Sequence, residues 1–274
     1  MKKAFYYFGT CIVLLVSFLY TEKAAITVKE MDEIMLKIKE TSRIKIQEPI
    51  QSIIYGNTII PGINGHEIDI EKSYRKMKYI NKYSDNLLVY RVLQVDNLLS
   101  NNKDKVILSG NKNKNSVAII VVLDDDNYTN SVHSFTLIDN ISILVSGKYV
   151  EKNEAGVERL KKNIMGTIGY SFNYDNPSYI WLDNYIKKTS NTKNSYCLSV
   201  DKVAPVQCVK NGNYTIYGVP LKNNFLLQTK NTLEPGKILV YYANDKLIEE
   251  FDSILNFIHS KGYKILKLDK ILQE

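Results

Sequence analysis

Residues Ser116-Val-Ala-Ile-Ile-Val-Val-Leu-Asp-Asp-Asp126 constrain the fold more than any other stretch of the chain. From Val117 to Leu123 every side chain is aliphatic and most are β-branched, the pattern of a strand covered on both faces, as in parallel sheets. Asp124, Asp125 and Asp126 follow without a spacer. Ligands of α/β sheets and barrels bind beyond the carboxyl ends of such strands, so these acids are candidate functional residues. The plain alternative is a solvated acidic turn.

From Val117 onward the chain alternates strand and helix signals. Strands are expected at Asn140–Val145, Met165–Gly169, within Leu233–Tyr242, and at Tyr263–Leu268. Helices are expected at Gly147–Asn163, at Pro177–Lys188 with proline in the first turn, and at Lys246–Ser260 capped by Asp245 and ended by Lys261-Gly262. This order implies an α/β fold with a mostly parallel sheet and helices outside it.

The amino terminus decides the compartment. Ala4 to Tyr20 carries no charge, and roughly 17–25 apolar residues cross a bilayer core. Lys2 and Lys3 before the run and Glu22 after it orient the amino end toward the cytoplasm and the rest outward. A cleaved signal peptide is the rival reading, but no clean small-x-small site precedes Thr21–Ala25. The expectation is a single-pass protein at the cell membrane, held by residues 4–20, with an extracytoplasmic domain; the alternative is a secreted one. Val28, Met31, Ile34, Met35 and Ile38 then fall on one helical face of a stalk over 26–49, a candidate for homodimer formation. Domains are expected at 1–25 (anchor or signal segment), 26–49 (stalk helix), 50–104 (small accessory region) and 105–274 (α/β domain). Within 50–104, Asp69 caps a helix over 70–80.

The formal charge of +7 is lysine spread along the whole chain. No basic block with interleaved aromatics occurs, which argues against nucleic acid as a partner and for attraction to anionic headgroups or wall polymers. Cys197 and Cys208, in an exported chain, either form a disulfide or stay reduced and buried; the reading leans to the disulfide.

In the order of its elements the region 105–274 resembles the polysaccharide deacetylases, the NodB-homology fold of carbohydrate esterase family 4. Leu123-Asp-Asp-Asp126 is similar to that family's Thr-Phe-Asp-Asp-Gly, and Ile141–Gly147 to its Ala-Thr-Phe-Phe-Val-x-Gly. Ile168-Gly169 with Tyr170–Asp175 falls at its Ile-Gly-Asn-His-x-x-x-His, and Pro235–Tyr242 at its Pro-Gly-x-Ile-x-Leu-x-His-Asp. Gly262–Asp269 is like its closing segment. The resemblance implies a distorted (β/α) barrel, here preceded by a transmembrane anchor and stalk helix, and a metal-dependent N-deacetylase of envelope glycan as the ancestral activity.

The resemblance assigns roles that the residues only partly keep. Asp124 matches the catalytic base and Asp125 the metal-binding aspartate. Ser171 and Asp175 stand where the two metal histidines belong, and Tyr242 where the acid histidine belongs, with Ala243 in place of its aspartate neighbour. The expected site is therefore Asp124 and Tyr242 as vestigial catalytic residues, Asp125 and Asp175 as metal ligands, and Ser171 and Tyr241 as ligand-binding residues. Such an oxygen-only set suits no metal at all or a weakly bound divalent ion better than Zn²⁺. Three readings result: a catalytically degenerate deacetylase-like protein acting on or binding envelope glycan, an active enzyme using Asp124, Asp125 and Asp175, or a non-catalytic glycan- or partner-binding module. Tyr170, Tyr174, Tyr179, Tyr241, Tyr242 and Trp181 offer faces for sugar stacking, against the plainer reading that each is a packing residue.

Overall fold

The computed structural model describes residues 2–124, 140–168, 176–191 and 195–274. It divides into two compact units, Met1–Pro49 with Asn64–Leu93, and Ile50–Ile63 with Gln94–Glu274. The region 50–104 expected as one accessory piece is thus shared between them. The strands are β1 (Ile53–Tyr55), β2 (Thr58–Ile60), β3 (Gly65–Ile68), β4 (Tyr90–Leu93), β5 (Val106–Ile107), β6 (Ser116–Leu123), β7 (Ser142–Val145), β8 (Ile164–Ile168), β9 (Tyr196–Ser199), β10 (Tyr214–Tyr217), β11 (Ile238–Tyr242) and β12 (Lys264–Ile265).

In the first unit a long helix, α1 (Lys2–Glu30), precedes α2 (Glu33–Ile44). By length and composition the stretch Thr10–Glu30 is able to cross a membrane. The expected continuous stalk is interrupted at Met31-Asp32, because the Asp32 carboxylate accepts the Ile34 N–H and starts a new helix. Helix α3 (Ile70–Ile80) is capped by Asp69, as its sequence predicts. Ile34, Met35 and Ile38 of α2 bury against Ile68, Tyr74 and Met77. That part of the apolar stripe expected on the stalk is therefore filled from within the unit, while Val28 and Met31 stay exposed.

The second unit is built on one sheet in the order β1-β2-β5-β10-β9-β8-β7-β6-β11, with β12 also paired to β6. Every pairing is parallel except the β1–β2 hairpin. That hairpin joins through β2–β5, which is why residues 53–60 belong with this sheet and not with an accessory domain. The unbroken apolar run of β6 is explained by alternation. Val117, Ile119, Val121 and Leu123 face a helix-covered cluster with Tyr149, Leu182, Phe225 and Phe251, while Ala118, Ile120 and Val122 face a second cluster. The second cluster holds Ile59 of β2 and Val240 of β11, residues from strands far apart in the sheet order. The sheet therefore curls into a half-barrel with its own interior, plugged by Leu268, Ile271 and Leu272.

Several expected boundaries move for local reasons. The helix expected over Gly147–Asn163 is two helices, Gly147–Lys152 and Glu154–Leu160, broken at Asn153. Asn244, not Asp245, caps the helix Asp245–Ser260. The closing strand shortens to Lys264–Ile265 because Leu268–Ile271 turns into a helix. At the β8–β9 contact, Gly166 is required: a Cβ there would meet the Tyr196 carbonyl oxygen at 1.9 Å.

Candidate functional site

The carboxyl ends of β6, β7 and β11 lie side by side, because β7 and β11 both pair with β6. Leu123 ends β6, and Asp124 is the next residue, half-buried. Its backbone is anchored from β7: the Ser146 hydroxyl donates to the Asp124 carbonyl at 3.1 Å and the Ser146 N–H donates to the Leu123 carbonyl at 2.9 Å. The same Ser146 oxygen accepts the Tyr149 N–H at 3.1 Å and caps the helix Gly147–Lys152. One small residue thus ties the strand end that bears Asp124 to the start of the next helix.

Tyr242 is the last residue of β11 and pairs with Val122. Its N–H donates to the Leu221 carbonyl at 2.8 Å, and the Ala243 N–H donates to the Val122 carbonyl at 3.0 Å. The half-buried Tyr242 ring packs against the barrel interior. The Lys222 ammonium stands over it, 5.4 Å from the ring centroid, a cation–π distance. Asn244 holds that segment, because its side-chain amide donates to the Lys222 carbonyl at 2.8 Å while its oxygen caps the helix that follows.

Tyr241 does something else. Successive strand residues point to opposite faces, so Tyr241 and Tyr242 cannot both face one site. Tyr241 is fully buried in the helix-covered cluster, edge-on to Phe225. Thr229 Oγ1 donates to the Phe225 carbonyl at 2.7 Å, so at the 2.5 Å contact between them the Tyr241 hydroxyl is the donor. Burial raises the Tyr241 phenol above its ordinary value, and the Thr229 contact opposes that only in part. The expectation that Tyr241 binds ligand is thus replaced by a packing position.

Cys197 and Cys208 form a disulfide. Both are fully buried beside Tyr179, whose hydroxyl lies 3.0 Å from Cys197 Sγ and 3.5 Å from Cys208 Sγ. The Asn213 amide links Tyr179 to the buried Asp183, which also pairs with Lys187 at 2.7 Å. Tyr179 therefore belongs to the scaffold, whereas Trp181 is partly exposed and stacks on Tyr185.

Asp125, Ser171 and Asp175, with Tyr170 and Tyr174, lie outside the described residues. Among the described residues no three His, Cys, Asp or Glu side chains gather into a metal-binding group. His66 sits in β3 edge-on to Tyr90, and His259 is exposed near the end of its helix. At the ends of β6 and β11 stand one carboxylate, Asp124, and a phenol under a lysine. Neither is the imidazole that a Zn²⁺ hydrolase commonly uses to hold its metal. Sequence reasoning missed Ser146 and Lys222: the Ser-Gly after β7 is a legible cap signal, but nothing in the sequence brings Lys222 to Tyr242.

A curled, nearly all-parallel half-barrel with a carboxylate and a tyrosine at neighbouring strand ends is a fold shared with solved structures of carbohydrate esterase family 4. Wild-type BA3943, described as a CE4 family pseudoenzyme from Bacillus anthracis, superposes with a TM-score of 0.63 at 17% identity, covering 88% of this chain and 95% of that one. A BA3943 mutant described as a pseudoenzyme with restored enzymatic activity gives a TM-score of 0.64 at 17% identity, covering 88% of this chain and 98% of that one. The Bc1960 peptidoglycan N-acetylglucosamine deacetylase gives 0.51 at 14% identity over 60% of this chain and 91% of its own. In sequence the chain is similar to the uncharacterized protein YlxY of Bacillus subtilis, 21% identical over 240 residues, 78% of this chain and 75% of that protein. No family model matches the chain.

Proposed function

We propose that this is a membrane-anchored, extracytoplasmic deacetylase-like protein that binds cell-envelope glycan at the strand ends of its half-barrel and has lost the deacetylase reaction. The observation that carries the reading is Tyr242 beneath Lys222 at the end of β11, where the resemblance requires an acid histidine. A phenol ionises near pH 10 in water and an ammonium cannot accept a proton, so the pair makes a poor acid–base device at neutral pH. The same pair suits a sugar: the ring offers an apolar face and the ammonium a donor for hydroxyl or carboxylate oxygens. A pseudoenzyme among the structural neighbours supports the loss of activity, and a peptidoglycan deacetylase among them supports the class of glycan. The apolar helix α1 supports the anchor.

The test uses the full chain in detergent micelles with N-acetylated chitooligosaccharides and peptidoglycan fragments, with and without added Zn²⁺, Mn²⁺ or Mg²⁺. No acetate should be released, while sedimentation with insoluble peptidoglycan should be retained and should weaken in Tyr242→Ala. Metal-dependent acetate release that disappears in Asp125→Ala would instead establish the active-enzyme reading with Asp124, Asp125 and Asp175. A further arm substitutes Ser171→His, Asp175→His and Tyr242→His together. Gain of metal-dependent deacetylation there would show that the scaffold keeps the reaction geometry and that the side chains alone removed the chemistry.

A further inference from the structure

Among the described residues no strand pairs with the outer edge of β11, and the gap there has an unusual wall. Strand β11 gives its odd-numbered residues to β6: the Lys237 carbonyl accepts from the Ala118 N–H at 2.9 Å, and the Ala243 N–H donates to the Val122 carbonyl. By the alternation of a parallel ladder, the amide groups of Ile238, Val240 and Tyr242 point to the opposite edge. Tyr242 N–H and the Val240 carbonyl are taken up by Leu221, which bridges to β11 at Tyr241. Further back, the Gly236 carbonyl accepts the Gly110 N–H at 2.8 Å. Between these two closures the Ile238 N–H, the Ile238 carbonyl and the Val240 N–H have no hydrogen-bond partner among the described residues. Ile238 and Val240 line a cavity of about 440 Å³.

The rest of that cavity says what would satisfy them. Ile60, Leu108, Val219 and Leu221 supply apolar wall, and Lys112, Lys202 and Lys237 stand around it against a single carboxylate, Glu234. Lys112 and Lys237 both pair with Glu234, at 3.3 and 3.5 Å, and Lys202 lies 5.7 Å from the centroid of the Tyr217 ring. Three cations against one anion leave the rim positive.

We propose that this gap binds a short extended peptide carrying an acidic side chain. One peptide residue, running antiparallel to β11, would complete the edge by accepting from the Ile238 N–H and donating to the Ile238 carbonyl, and the residue two positions before it would accept from the Val240 N–H. Strand addition of this kind draws affinity from main-chain pairing and selectivity from flanking pockets. The peptide's carboxylate would meet the lysine rim. The gap borders the Tyr242–Lys222 pair through Leu221 but includes neither residue, and its test does not depend on the glycan reading.

The test titrates the full chain in detergent micelles with N-acetyl-Ala-Glu-Ala amide and with its Gln counterpart, following amide exchange by NMR. The acidic peptide should bind saturably and slow exchange of the Ile238 and Val240 amide protons about tenfold near saturation. The Gln peptide should bind about fivefold more weakly. The surface variant Lys112→Glu with Lys202→Glu should lose about tenfold in affinity for the acidic peptide with its thermal midpoint unchanged. Failure to saturate at millimolar peptide, equal binding of the Gln peptide, or binding that leaves the two amides unprotected would each overturn the proposal. Protection of the same amides by chitotriose and not by the peptide would overturn it in favour of an acetamido ligand.

Discussion

Replacing Tyr241 by phenylalanine separates a packing residue from a ligand-binding one with a single oxygen atom. The hydroxyl donates to Thr229 Oγ1 inside the helix-covered cluster, and Thr229 in turn donates to the Phe225 carbonyl. Tyr241→Phe keeps the ring edge-on to Phe225 and removes one buried neutral hydrogen bond, a net loss of about 1 kcal/mol. The Thr229 oxygen keeps its own donation and loses only an incoming proton, so no buried donor is orphaned and the cost stays near that value. Tyr241→Ala also deletes the ring from a filled core and should cost about 3–5 kcal/mol. The assay is urea unfolding of the full chain in micelles, followed by tyrosine and tryptophan fluorescence, beside peptidoglycan sedimentation of the same samples. The phenylalanine variant should be less stable and bind normally. Unchanged stability with weakened sedimentation would refute the packing assignment and return Tyr241 to the ligand site.

Breaking the disulfide with Cys208→Ala should lower stability by about 3 kcal/mol, the loop-closure value for 11 residues of separation, measured as a fall in denaturation midpoint that reductant reproduces in the parent. Gly166→Ala should cost at least about 2 kcal/mol and disturb the β8–β9 register, seen as loss of protection at Thr167 and Leu198, since its methyl has no room beside the Tyr196 carbonyl. The unit formed by Met1–Pro49 and Asn64–Leu93 should be acid-sensitive. Lys78 holds the Asp32 carboxyl below its ordinary value, the Lys72 N–H does the same for Asp69, and Lys45 for Asp85. A carboxylate depressed in the folded state stabilises above its unfolded pKa and loses that contribution as pH falls through the folded one. Helical signal of α2 and α3 should therefore melt earlier at pH near 3 than at pH near 6, and Asp32→Asn with Asp69→Asn should flatten the difference.

What the sequence determined by itself is local or periodic. The apolar run of β6 announced a strand buried on both faces, Asp69 and the pattern after it marked α3 to the residue, and the order of strands and helices after Val117 implied the α/β fold. These were legible because each rests on neighbours within a few positions. Tertiary structure decided the rest. Only strand pairing could assign the β1–β2 hairpin to the main sheet, and only the β11 register could send Tyr241 into the core and Tyr242 to the strand end. Lys222 reaches Tyr242 from 20 residues away in sequence, and the unpaired edge at Ile238 exists only because no strand among the described residues pairs with the outer edge of β11. Face and distance are properties of the packed sheet, and a linear pattern carries the alternation of side chains without saying which face meets which neighbour.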